Sequence, residues 1–265
     1  GALDLLGTAG EHVPACLVIV PERDTVATFD VAPLRSEGTT PASIPVDLKV
    51  VKAWYQAGVE LDEVGGRVLT PELLLDDDAL VEVDLEAQQN RVRDLDRPRD
   101  ADELQPLKVA ADAAQQLWLT VRVPEATPPG RYQGSIGVRL AGLGETQVPL
   151  RLEVLPFRLE PAALHYGLYY RGTLADPEPD FVSSEGKSAA QLEAEFRNMR
   201  DHGILYPDVY ERASLRADGS LDVDALERYL DIRDRAGLPR DKLFYNGSSI
   251  GARPTQDQED ELVGF

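Results

Sequence analysis

"RNMRDHGILYPDVYE", residues 197–211, reads as the end of a helix, a glycine stop and the start of a strand. The same grammar returns in "LDIRDRAGLPRDKLFYNG", residues 230–247. Upstream of the first stretch, Ser188 is followed three residues later by Gln191, the two halves of a capping box. Leu192, Phe196 and Met199 recur at i, i+4 and i+7, a single apolar stripe. Gly203 suits the left-handed position past the helix, with Ile204 as the apolar residue after it. "ILYPDVY" then restarts as strand. Pro207 has no N–H to give, which leaves Asp208–Tyr210 as the paired part. In the second round "ADGS", 217–220, turns, Asp222 caps the next helix, and Leu221 staples to Leu226. Val223, Leu226, Tyr229 and Leu230 form its inner face, and Gly237 and Pro239 end it. "KLFYN", 242–246, is the following strand. With the aromatic stretch "HYGLYYRG", 165–172, as the first strand, residues 164–246 read strand–helix–strand–helix–strand with right-handed crossovers. That is the opening of a parallel α/β domain.

The preceding residues follow another period. In "QLWLTVRV", 116–123, Leu117, Leu119, Val121 and Val123 face one way, and Trp118, Thr120 and Arg122 the other. "VPLRLEVLPF", 148–157, sets Val148, Leu150, Leu152 and Val154 against Arg151 and Glu153. Further strands are read at 13–20, 25–34, 46–55, 80–84 and 134–140. Short alternating strands without a long amphipathic helix predict an antiparallel β-sandwich over residues 1–158. In "VPEATPPGRYQG", 123–134, the Pro-Pro-Gly turn is followed by Tyr132, whose hydroxyl is expected on backbone rather than on a ligand.

The chain has 265 residues, 43% hydrophobic and 28% charged, with a net charge of −20. These values fit a globular chain and disfavour nucleic acid and anionic membranes as partners. The acidity fits either a high-salt habitat or an ordinary acidic surface. No apolar run reaches the ~18 residues of a membrane span. Cys16, inside "VPACLVIV", is the single cysteine and reads as a small core residue. His12, His165 and His202 have no metal-ligand spacing. Asp76, Asp77 and Asp78 invite a calcium reading, but their spacing matches no calcium loop, so a solvated turn is the simpler use. Trp54, Tyr55 and Gln56 cluster at a strand end, as an edge filler or a sugar platform. No phosphate loop, nucleophile elbow or Cys–His arrangement is present, and no metal or cofactor is expected.

"LTPELLLDDDALVEVD" (69–84), "QQLWLTVRVPEATPPGRYQGSIGV" (115–138), "VPLRLEVLPFRL" (148–159), "YGLYYRG" (166–172) and "FRNMRDHGILYPDVYE" (196–211) together resemble secreted bacterial proteins in which a β-sandwich precedes a (β/α)8 barrel related to glycoside hydrolase family 123. The resemblance spans most of the chain and rests on packing motifs. It implies that residues 159–265 are the first three strands and two helices of such a barrel, and that the protein is secreted, at the cell surface or periplasmic. It also implies a retaining mechanism in which the substrate's N-acetyl group attacks, assisted by an Asp–Glu pair near the end of the fourth strand. No residue before Phe265 matches that pair, since "DQEDEL", 257–262, has no strand before it. This fragment by itself is expected to be inactive.

Barrel enzymes build their sites at the C-terminal ends of the strands. Those ends are Tyr169, Tyr170 and Arg171, then Tyr210 and Glu211, then Tyr245 and Asn246, a mixture of rings and polar groups suited to a carbohydrate, with Tyr170, Arg171, Tyr210, Glu211, Tyr245 and Asn246 as the candidate sugar contacts. Glu211 is their lone carboxylate, and most glycosidases need two. The expected function is the N-terminal part of a glycoside-hydrolase-like protein, with the sandwich as accessory domain. The alternative is a non-catalytic carbohydrate-binding or surface-scaffold protein. Three parallel strands leave an open edge and bare helix faces. Residues 164–265 are therefore expected to be covered by further chain, by a second polypeptide or by self-association. Tyr170 is expected to face the sugar pocket.

Overall fold

The computed structural model describes residues 1–265 except 38–41, 57–66, 96–97, 161, 176, 178–182, 184, 212, 217 and 246–265. The chain divides into two compact units, Gly1–Glu160 and Pro161–Phe265.

The first unit contains β1 (Leu3–Gly7), β2 (His12–Ile19), β3 (Thr25–Val31), β4 (Leu34–Ser36), β5 (Ser43–Ile44), β6 (Val46–Gln56), β7 (Val68–Leu75), β8 (Val81–Asp84), β9 (Gln89–Val92), β10 (Leu107–Val109), β11 (Gln115–Arg122), β12 (Gly130–Leu140) and β13 (Gly144–Val154). One sheet runs β1-β13-β12-β3-β10, with β4 paired to β12 and β5 to β4; the other runs β2-β11-β6-β7. Both sheets feed one apolar core. Leu48, Val50, Leu117, Leu119 and Val121 come from the second sheet, and Ala27, Ile136, Leu150 and Leu152 from the first. β11 lies between β2 and β6, and its Leu face, not its Trp118 face, is the buried one. The period-two pattern thus becomes a two-sheet sandwich, each fully buried Leu contributing roughly 1.5–3 kcal/mol.

Two expectations are corrected in this unit. The sandwich is not wholly antiparallel, because β1 pairs parallel with β13, Leu3 opposite Leu150. No hairpin joins these strands, so nothing forces them to run in opposite directions. Cys16 is exposed rather than in the core. It sits opposite Trp118 in register, on the outer face, while Val13 and Ile19 point inward. The outward positions Cys16 and Val18 are also apolar, and this hides the alternation.

Tyr132 is 2% exposed and donates its hydroxyl to the Pro128 carbonyl at 2.8 Å, pinning the corner before β12. The three successive aspartates are used in ion pairs: Asp76 with Lys49 at 2.5 Å, Asp77 with Arg93 at 2.8 Å and Asp78 with Lys52 at 2.9 Å. Asp100 also accepts the Asp76 and Asp77 N–H groups, both at 2.8 Å.

The second unit contains β14 (Thr173–Leu174), β15 (Gly186–Lys187), α1 (Ala189–Asp201), β16 (Ser214–Leu215), β17 (Leu221–Asp222) and α2 (Asp224–Ala236). The Ser188–Gln191 capping box starts α1. It ends with Gly203 at φ 80°, where the Ile204 N–H reaches the Met199 carbonyl and the Gly203 N–H that of Arg200. α2 stops in the same way at Gly237. Its start differs from the sequence reading, because Val223 is the N-cap and brings no side-chain bond. Asp222 is held in β17, paired with Ser214. Its carboxylate accepts the Asp224 N–H at 3.3 Å and pairs with the Arg216 guanidinium, also at 3.3 Å. Leu192 and Phe196 of α1 meet Leu226, Tyr229, Leu230 and Ile232 of α2 in one core that also takes Val209.

The three stretches read as strands run side by side, but not as regular strands. The Tyr206 N–H donates to the Tyr166 carbonyl at 3.2 Å and the Asp208 N–H to that of Leu168 at 2.9 Å, a parallel pattern. The Val209 N–H donates to the Phe244 carbonyl at 2.8 Å, and Val209 and Tyr245 form an isolated parallel bridge. Pro207 interrupts the middle segment, as its missing donor requires. Gly167 permits the close approach, since a Cβ there would lie 2.9 Å from the Tyr206 carbonyl oxygen.

Candidate functional site

The side chains of this three-segment array separate onto two faces. Tyr169 and Phe244 are exposed, whereas Val209 and Glu211 are buried on the side of the helices. Consecutive residues in extended chain alternate, so Tyr169 and Arg171 share a side and Tyr170 takes the other.

On the open face Tyr169 meets Tyr210 edge to face, with ring centroids 5.4 Å apart. The Arg171 guanidinium lies 6.0 Å from the Tyr210 ring centroid and pairs with Glu185 at 2.6 Å. Hydrogen bonding with Tyr169, aided by partial burial, holds the Tyr210 hydroxyl above the ordinary tyrosine range, while Arg171 pulls the other way. Two rings at a steep mutual angle beside a planar cation offer both stacking surface and directed donors.

On the helix side Tyr170 donates its hydroxyl to Glu195 Oε2 at 2.5 Å, and Lys187 holds the other oxygen at 3.1 Å. Its ring meets the Phe196 ring edge to face at 5.7 Å. The expectation that Tyr170 faces a pocket is therefore corrected: alternation turns it into the helix layer. Glu211 is 6% exposed and accepts the Leu174 N–H at 2.7 Å, so it ties the end of the middle segment to β14. Tyr245 is half-buried and packs against the helix core. Asn246 lies outside the described residues, as does "DQEDEL". Of the six sequence candidates, Arg171 and Tyr210 come together on the open face, and Tyr170, Glu211 and Tyr245 lie on the other.

Tyr169, a strand-end residue outside the six candidate contacts, joins Arg171 and Tyr210 on the open face. The signal was its spacing of two from Arg171. Glu195 and Lys187 position Tyr170 from α1 and β15, contacts that no local pattern announces.

Burial and the Glu195 bond push the Tyr170 hydroxyl far above its ordinary range, and burial does the same to Tyr229. Unfolded tyrosines release their protons near pH ~10. Stability is therefore present in full below that pH and is lost as pH rises from there toward the raised folded values. The urea midpoint is expected to be level on approach to this range and to fall beyond it, with a smaller fall in Tyr170→Phe. A midpoint that stays level well above the ordinary tyrosine range contradicts this assignment.

No family model matches the sequence, and no curated protein matches it. Among solved structures the chain is similar to a family 123 glycoside hydrolase from Clostridium perfringens, a structure described for glycolipid glycan hydrolysis. The TM-score is 0.61 at 11% identity, over 90% of this chain and 42% of that one. The chain thus spans less than half the length of that neighbour, and at this identity the likeness concerns the fold. The PapD-like domain of human CEP192 and the periplasmic chaperone SfaE also match, with TM-scores of 0.27 and 0.24 and identities of 10% and 8%. They cover 60% and 61% of this chain, and 84% and 58% of their own. At those scores neither adds to the account of the fold. No described helix is long and apolar enough to cross a membrane.

Proposed function

We propose that this chain is the N-terminal part of a glycoside-hydrolase-like, carbohydrate-active protein that is secreted or displayed at the cell surface or in the periplasm. Residues 1–158 serve as the accessory sandwich, and residues 159–265 supply the first three strands and two helices of a (β/α)8-type barrel. The observation that carries this reading is the cluster of Tyr169, Tyr210 and Arg171 on the open face of the parallel array. A sugar presents an apolar C–H face ringed by hydroxyls, and such a cluster meets both. The fold likeness to a family 123 glycoside hydrolase, together with the parallel hydrogen bonds between the three segments, supports the barrel part of the proposal.

Catalysis is assigned to no residue. Glu185 is engaged with Arg171, and Glu211 is buried on a backbone N–H. The same two facts favour, as the second reading, a protein that holds glycans without cleaving them. A glycan array with this chain and with its full-length protein, followed by chromogenic glycosides, separates the readings. Binding with turnover by the full-length protein supports the first. Binding without turnover supports the second, and binding by neither form removes both. Tyr210→Ala is expected to weaken oligosaccharide affinity about tenfold or more, a loss of ~1.4 kcal/mol, with little change in the unfolding midpoint. Calorimetric titration reads it. Leu164, Tyr166, Leu168 and Phe244, each 44–70% exposed, are the surface that further chain or a second polypeptide covers in this proposal.

A further inference from the structure

Four buried side-chain polar atoms find no hydrogen-bond partner among the described residues, and all four belong to the second unit: the hydroxyls of Tyr229 and Tyr245, and Nε and Nη2 of Arg233. Arg233 is 1% exposed and Tyr229 0%. They sit at i and i+4 on α2 and so share one face of the helix. Nη1 of Arg233 donates to the Pro207 carbonyl at 3.0 Å, and the guanidinium carbon lies 5.9 Å from the Phe196 ring centroid. These contacts hold the plane of the group. They leave the Nε and Nη2 protons unused, and among the described residues no carboxylate is in ion-pair contact with the group, Asp234 acting on it only through the field of its charge. Burying such a charge is costly unless it is paired and fully hydrogen-bonded.

Nε–H and Nη2–H are parallel donors on one flat edge, the edge that matches the two oxygens of a carboxylate. The Tyr229 hydroxyl, one turn back on the same face, adds a third donor. A set of donors around a fixed cation selects an oxyanion over a neutral acceptor. We infer that the Nε–Nη2 edge of Arg233, supported by the Tyr229 hydroxyl, is a receptor for one carboxylate group, which locks α2 to the middle segment of the parallel array. Two sources share this chemistry, a small carboxylate ion and an Asp or Glu side chain of the protein. The inference does not depend on sugar binding, because Arg233 lies in the helix layer.

The test combines crystal structures of the 265-residue chain, grown with and without formate, with thermal unfolding in rising formate. Formate spanning Nε and Nη2 in two parallel bonds of about 2.8 Å, with a saturable midpoint rise of about 3 °C, establishes the free-ion source. An acidic side chain of the protein on the same two atoms, with a midpoint indifferent to formate, establishes the internal source. Arg233→Lys keeps the charge but removes the fork, and should abolish the formate response or the pairing without needing an uncharged core variant to fold. Water alone on both nitrogens, or a formate response that survives intact in Arg233→Lys, overturns the inference.

Discussion

Leu119→Ala is expected to destabilise the sandwich by about 2–5 kcal/mol. Leu119 is fully buried in β11, which is hydrogen-bonded on both sides, opposite Ala15 of β2 and Leu48 of β6. A central strand of a two-sheet sandwich cannot move to fill the space left by an isobutyl group without disturbing both neighbours. The transfer and cavity contributions therefore add. Trp118→Ala, on the half-exposed outer face of the same strand, should cost less despite removing more atoms. Denaturant midpoints of the two variants, with unchanged slopes, give the comparison. A cost for Leu119→Ala below that of Trp118→Ala would mean that the wrong face of β11 has been put in the core.

Phe196→Ala carries the second large effect, about 3–5 kcal/mol, concentrated in the second unit. Phe196 is fully buried, with Tyr229 at 5.4 Å and Tyr170 at 5.7 Å, both edge to face. It also meets the Arg233 guanidinium. Removing the ring takes away the surface on which α1 and α2 converge. Hydrogen exchange should show protection lost across 189–236 while strands β11, β12 and β13 keep theirs. Uniform loss across both units would show that the two cores unfold as one.

Much of the second unit is readable because helix ends are local. Ser188 with Gln191, and Gly203 with Ile204, each close a motif within a few residues. The N-cap of α2 escapes such a reading because Asp222 is claimed first by a short antiparallel pairing with Ser214, a contact eight residues away. In the first unit, alternation points directly to the Leu face of β11 and the Tyr132 corner. It fails at Cys16, where both faces of β2 are apolar, and at β1, whose parallel partner lies at the far end of the unit. The candidate site is half legible. Arg171 and Tyr210 meet on one face, but Tyr170 is drawn to Glu195 by a bond between segments 25 residues apart. Period two already separates Tyr170 from Arg171, and treating the strand end as one patch erases that distinction.

The carbohydrate assignment is tested most directly by recording NMR spectra of the ring-labelled tyrosines while titrating an oligosaccharide selected on the glycan array. The account predicts that the signals of Tyr169 and Tyr210 shift together and saturate, that those of Tyr170 and Tyr132 hold still, and that Tyr210→Ala removes the response. Shifts confined to Tyr55 in the sandwich, with Tyr169 and Tyr210 unmoved at saturation, would contradict it.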